Sequence, residues 1–229
     1  MLADFDQLLS TLEQKVSPAH VALLVIDIQN DFVADGGFFD QIGADVKAIQ
    51  RPIPPLVQLV DRAREAGVLV IFIQAIYDPQ YLSAPMRERD LRVGRQMPRC
   101  LTGSWGAGFH VIAPRPNEPH VIKHRYSAFA NTELHDLLKR RGIRSLLLTG
   151  VSTDTCVEST ARDAYFFDYY VTLVADCCAG AVERDHLVAL ERFERDYGAV
   201  VNSSDVIEAW ERSGALVAPP RAAALVEIG

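Results

Sequence analysis

Three side chains of different chemistry stand at the ends of three apolar runs: Asp27, Lys123 and Cys156. Cys156 lies in Gly-Val-Ser-Thr-Asp-Thr-Cys-Val-Glu-Ser-Thr-Ala-Arg-Asp-Ala, residues 150–164. Before it runs Ser145-Leu146-Leu147-Leu148-Thr149, a short apolar stretch bounded by Arg144 and Gly150, which reads as a buried parallel strand. After it, Val157, Thr160, Ala161 and Ala164 recur at three- and four-residue steps, the face of a buried helix. Cys156 is thus expected where a strand turns into a helix. The first helical N–H groups have no partner there, and the dipole's positive end favours a thiolate, the form that attacks carbonyls. A small buried cysteine filling the junction is the competing reading of position alone.

Asp27 closes the continuous apolar run Val21-Ala22-Leu23-Leu24-Val25-Ile26. A carboxylate there is costly to bury unless paired, and ligands of open α/β sheets bind beyond the carboxyl ends of strands. Lys123 ends the shorter run Val121-Ile122-Lys123. The roles of the three fit together. Lys123 supplies a fixed positive charge that favours carboxylate and thiolate alike. Asp27 takes the thiol proton and hands it to a leaving amine. Cys156 forms a covalent acyl-enzyme, and N–H groups at the helix start hold the oxyanion. His124 is a rival base, but it adjoins Lys123 and in an extended strand points to the opposite face. His186 belongs to a later helix, as a structural group or at the pocket rim.

The elements that must position these groups alternate along the chain. Residues 4–15 read as an N-terminal helix within an extension over residues 1–18. A helix is expected from Pro54 or Pro55 to Ala66, stopped by Gly67, and a second strand over residues 68–73 ending at Gln74. Residues 75–119 lack strong periodicity, hold a short helix over 86–92, and read as a functional cover. A helix opens near Asn131-Thr132-Glu133, a fifth strand spans 170–175, a helix 183–197, and a sixth strand 199–201. Ser203-Ser204-Asp205 caps a last helix to about Arg212. Residues 214–229, with Pro219-Pro220, read as a tail or oligomer contact. The pattern predicts one α/β domain over residues 1–229, a three-layer α/β/α sandwich around a six-stranded parallel sheet.

Bulk properties narrow the partners. The chain has 229 residues and a net charge of −7, and it has no basic block, which argues against nucleic acid and anionic membrane. No apolar run approaches the ~18–20 residues of a membrane helix. The start Met1-Leu2-Ala3-Asp4-Phe5-Asp6 is acidic, unlike a secretory signal. The four cysteines, Cys100, Cys156, Cys177 and Cys178, show neither a disulfide framework nor zinc spacing, so a reducing cytoplasmic setting is expected.

Three motifs resemble a known family. Asp27-x-Gln29-Asn30-Asp31-Phe32, then Lys123-x-Arg125-Tyr126-Ser127-Ala128-Phe129, then Gly150-Val151-x-Thr153-x-x-Cys156-Val157-x-Ser159-Thr160-Ala161-Arg162-Asp163-Ala164 are similar to the isochorismatase-like cysteine hydrolases. The resemblance covers roughly residues 21–210 and implies a triad, here Asp27, Lys123 and Cys156. It also implies a cis peptide between Val151 and Ser152, turning the Ser152 N–H toward an oxyanion beside the Cys156 N–H. Family nicotinamidases carry an Asp/His metal cluster after the second strand. Here that place reads Gln74-Ala75-Ile76-Tyr77-Asp78-Pro79, so no metal or other cofactor is expected. Isochorismatase proper lacks the nucleophile that Cys156 supplies.

The motif wording is nearest to the amidohydrolases of ureido compounds, which act on ureidoacrylate, biuret or N-carbamoylsarcosine. The resemblance then implies cleavage of a carbamoyl or amide C–N bond with release of ammonia. An isochorismatase-type or nicotinamidase-like hydrolase is the alternative. Phe32, Gln74, Trp105, Tyr126 and Thr155 are the candidate pocket residues. Arg87, Arg89, Arg92 and Arg95 are read either as partners of a substrate carboxylate or as a solvated helix face. The family implies homodimers or tetramers.

Overall fold

Six apolar runs become strands: β1 Val21–Ile26, β2 Leu69–Ala75, β3 His120–Lys123, β4 Ser145–Val151, β5 Tyr170–Ala179 and β6 Ala199–Val201. The computed structural model of the protein describes residues 8–95 and 97–216. The strands pair in the order β3-β2-β1-β4-β5-β6, and every pair is parallel. This is the expected six-stranded α/β sheet. The chain winds outward from β1 to β3, returns to the centre at β4, and winds the other way. Beyond the carboxyl ends of β1 and β4 lies the crevice of the switch point, where doubly wound sheets bind ligands.

β1 is buried along its whole length. Its side chains alternate: Val21, Leu23 and Val25 enter one apolar layer, and Ala22, Leu24 and Ile26 the other. The helices Ile53–Glu65 and Ser203–Arg212 cover the first layer with Leu56, Leu59, Val206 and Trp210. The helices Leu134–Arg140, Glu158–Phe166 and Glu183–Asp196 cover the second with Leu138, Ala161, Ala164 and Phe193. Both faces of a parallel sheet must be covered, which is why its central strands read as unbroken apolar runs.

Some boundaries move. β5 continues past Ala175 to Ala179, because a register shift between Leu148 and Gly150 lets Cys178 pair with Gly150. β2 likewise continues through Gln74 to Ala75. At the N-terminus the described helix is Leu12–Lys15, capped by Thr11, and the earlier part of the expected helix falls outside the described residues. The Trp210 indole donates to Val16 O at 2.7 Å and ties this extension to the helix Ser203–Arg212. The Pro219-Pro220 tail also lies outside the described residues. No helix among the described residues is long and apolar enough to cross a membrane.

Candidate active site

Each of the three reactive side chains sits at a strand's carboxyl end, held by a different local device. Asp27 follows β1 in the left-handed region, at φ 55°, a conformation Asp tolerates better than most residues. Its N–H donates to Ile73 O at 3.0 Å, so the turn is anchored to β2. Lys123 is the last residue of β3. Cys156 lies in a single π-helical turn, Thr153–Val157, which runs into the helix Glu158–Phe166. The peptide between Val151 and Ser152 is cis. Thr160 fastens the turn: its Oγ1 donates to Cys156 O at 2.7 Å and accepts from Ala128 N at 3.0 Å. Gly150, at φ 115°, lies so close to Ile26 O that a Cβ would collide with it.

The three groups converge. Lys123 Nζ lies 2.8 Å from Asp27 Oδ2 and 3.4 Å from Cys156 Sγ, and it donates to Arg125 O at 3.0 Å. Asp27 and Lys123 are fully buried. The ammonium meets the carboxylate at ion-pair distance, and among the described residues neither Asp27 oxygen has a hydrogen-bond donor of standard geometry. Burial pushes the Asp27 carboxyl above its usual range, against the pull of Lys123. Burial also pushes the Cys156 thiol up to about 12; Lys123 pulls it down and Asp27 pushes it further up. Burial thus opposes the thiolate expected at a helix terminus, and the Lys123 charge favours it. Burial disfavours the charged forms of both Asp27 and Cys156, and the Lys123 ammonium favours them.

A cavity of about 100 Å³ opens onto these groups. Asp27, Ser152, Thr155 and Cys156 line it, as do the pocket candidates Phe32 and Tyr126. Two pocket candidates lie elsewhere. Gln74 turns its amide to Ala107 O at 2.7 Å, because β2 continues through it and directs it at the covering loop. Trp105 is 59% exposed and does not line the cavity.

The Gln29-Asn30-Asp31 motif turns out to hold that cover. Gln29 bonds both backbone groups of Ala75 and the carbonyl of Ala107. Asn30 donates to Trp105 O, and Asp31 accepts from the N–H groups of Phe38 and Cys100. His124 bonds Ile76 O at 2.7 Å and stacks on Tyr81, outside the cavity. His186 meets Thr153 Oγ1 at 2.7 Å, on the turn that carries Cys156. Sequence reasoning missed Phe38 and Phe39, on the short helix Phe38–Gln41, and Tyr77 and Arg99 from the cover, all of which line the cavity. Among the described residues, no group of three or more His, Cys, Asp or Glu could hold a metal ion.

With this geometry in hand, comparison with known proteins is decisive for the family. The isochorismatase domain matches residues 21–206. The chain belongs to the isochorismatase family. It is a hydrolase. It is 35% identical over 207 residues to the ureidoacrylate amidohydrolase RutB of Enterobacter sp. (strain 638), covering 84% of this chain and 90% of that protein. A RutB of Methylobacterium radiotolerans is also 35% identical, over 91% of this chain and 84% of its own length. Among solved structures, an isochorismatase-like hydrolase from Alkaliphilus metalliredigens superposes with a TM-score of 0.68 at 29% identity, over 84% of this chain and 99% of that one.

Proposed function

We propose that this family member is a cysteine amidohydrolase that cleaves the C–N bond of a small ureido or amide substrate and releases ammonia. The observation that carries the reading is the contact set Asp27–Lys123–Cys156, buried on one side of a small cavity. Similarity to ureidoacrylate amidohydrolases points to the ureido class.

The steps start from a resting protonation with Cys156 as thiol, Asp27 as carboxylate and Lys123 as ammonium. As the Cys156 sulfur bonds to the carbamoyl carbon, its proton passes to Asp27, and the carbonyl oxygen gains the negative charge. The Ser152 and Cys156 N–H groups hold that oxyanion, a contribution worth ~10²–10³-fold per donor. Asp27 returns the proton to the nitrogen, the C–N bond breaks, and ammonia leaves. Water then attacks the thioester while Asp27 takes its proton. The C–S bond breaks, the thiol recovers a proton, and a carbamate departs that can lose carbon dioxide. Lys123 keeps its charge throughout: the Asp27 and Cys156 charges hold its ammonium form against the burial that opposes it.

The test is ammonia release from a panel of ureidoacrylate, biuret, N-carbamoyl amino acids, nicotinamide and simple amides. We expect turnover of a ureido compound by the wild type, loss in Cys156→Ala, and a mass increment on Cys156 in rapidly quenched wild type. Equal rates in both proteins would remove the cysteine mechanism. A homo-oligomer and a cytoplasmic setting complete the reading. All four cysteines are free, as a reducing compartment allows.

A further inference from the structure

Both carboxylate oxygens of Asp27 and the hydroxyl of Tyr77 are buried without a hydrogen-bond partner among the described residues. Asp27 already has a part in the chemistry above. Tyr77 has none, yet it lines the same cavity as Asp27, Ser152 and Cys156. Tyr77 is 4% exposed, and a phenolic hydroxyl at that depth is costly to leave unpaired.

The backbone fixes where the ring stands. β2 ends at Ala75, which pairs with Lys123, and the Ile76 N–H donates to Lys123 O at 3.0 Å. The Tyr77 N–H then donates to Cys100 O at 3.0 Å, and the Arg99 guanidinium lies 4.9 Å from the ring centroid. Tyr77 thus follows the end of the strand that pairs with Lys123. Burial holds its phenol far above the usual pKa, so it keeps its proton and acts as a donor. It also interacts electrostatically with Lys123, Cys156 and Asp27, and Lys123 with it in turn.

We infer that Tyr77 and Asp27 together hold the water that hydrolyses the thioester on Cys156, which makes Tyr77 a catalytic residue of the second half of the reaction. This rests on the reading of Cys156 as nucleophile. A cavity of about 100 Å³ has room for water, and an ordered water needs roughly two to four polar partners. A carboxylate that accepts and a phenol that donates are two of them.

The water donates one O–H to Asp27 and accepts from the Tyr77 O–H. One lone pair of its oxygen is then left for the thioester carbon. The C–O bond forms as the first proton passes to Asp27. The C–S bond breaks, its electron pair stays on sulfur, and Asp27 returns the proton there. The second water proton leaves with the acid product. Tyr77 keeps its own proton throughout, and its part is to orient the water.

The test isolates this half with cyanate, a probe small enough for the cavity. Cyanic acid adds to the Cys156 thiol with no leaving group: the C–S bond forms, the thiol proton ends on nitrogen, and the product is the carbamoyl thioester. Wild type, Tyr77→Phe and Cys156→Ala are carbamoylated, freed of cyanate, and followed by peptide mass and by ammonia. Ammonia reports water attack, because simple elimination returns cyanate. Wild type and Tyr77→Phe are expected to gain the group on Cys156 at rates within about twofold. Tyr77→Phe is then expected to yield ammonia about five- to tenfold more slowly, the worth of one hydrogen bond. The hydroxyl has no protein partner, so this variant keeps its fold, which matching thermal melts check. Equal ammonia rates would overturn the water site and leave Cys156 as nucleophile. Equal slowing of both halves would overturn it as well, because that marks a structural role. A wild-type adduct that yields no ammonia would do the same. If wild type gained no adduct on Cys156, the cysteine mechanism would be removed, and the water site would fall with it.

Discussion

Lys123 Nζ reaches to within 2.8 Å of Asp27 Oδ2 although β2 lies between their strands. Two strand spacings amount to roughly 9–10 Å, a span that a long unbranched side chain closes and a short one does not. The register makes this workable. Ile26 pairs with Ile73 and Ala75 with Lys123, so β2 and β3 extend past the end of β1 and carry the ammonium over the crevice. The cation joins Asp27 and Cys156, and the ion pair also ties an edge strand to the centre of the sheet.

Lys123→Met tests both roles. It leaves Asp27 buried with no counter-charge, and breaking a buried pair from one side costs about 3–5 kcal/mol. Urea unfolding should show that loss, and ammonia release should fall at least ~10²-fold. Unchanged stability would mean that the pair is not closed in solution.

Gly150→Ala probes the crevice from the backbone. Its φ of 115° and the contact with Ile26 O forbid a Cβ. The expected cost is about 2 kcal/mol or more, from an incompatible backbone and local overpacking. A thermal melt within a degree of wild type would show that β4 can move away from β1.

Asp27, Lys123 and Cys156 were legible in the sequence because each ends an apolar run, and strand ends in a doubly wound sheet share an edge. The strands themselves were legible because burial on both faces writes them as continuous apolar stretches. The cover was not. Tyr77 and Arg99 reach the cavity through tertiary contacts with each other, Phe38 and Asp90 that no period encodes. Gln74 does not line the cavity, because β2 runs past the expected end at Gln74 to Ala75 and the Gln74 side chain serves the loop. The thiolate expectation considered the helix terminus, and the burial that pushes the Cys156 thiol up depends on tertiary packing that the local sequence does not carry.

The acid limb of activity follows from Asp27. It must be ionised to accept the thiol proton, and burial raises its pKa above the ordinary value. kcat/KM should therefore fall as pH drops through that raised value, above the usual carboxylate range near ~3.9. The linkage runs opposite to an ordinary ion-paired Asp. A raised folded pKa gives a stability contribution that is present below the unfolded pKa and lost as pH rises through the folded one. Asp27's own protonation thus favours the fold, and activity lost on the acid limb should return on neutralisation. A limb at the ordinary carboxylate pKa would contradict the burial of Asp27.

Removing Asp27's charge should separate the nucleophile's ionisation from its use. In the wild type the thiol is held near 12, so iodoacetamide labelling of Cys156 should still be climbing at pH 10. Asp27 is one cause of that height and Lys123 opposes it. Asp27→Asn leaves Lys123 facing the sulfur alone, which lowers the thiol pKa and speeds labelling at neutral pH. The same variant has no group to carry the proton to the leaving nitrogen, so ammonia release should fall at least ~10²-fold. Faster alkylation together with lost turnover is the signature of a base that works by moving a proton. If alkylation slowed with turnover, Asp27 would instead be holding the thiolate in place, and the resting protonation described for this site would be wrong.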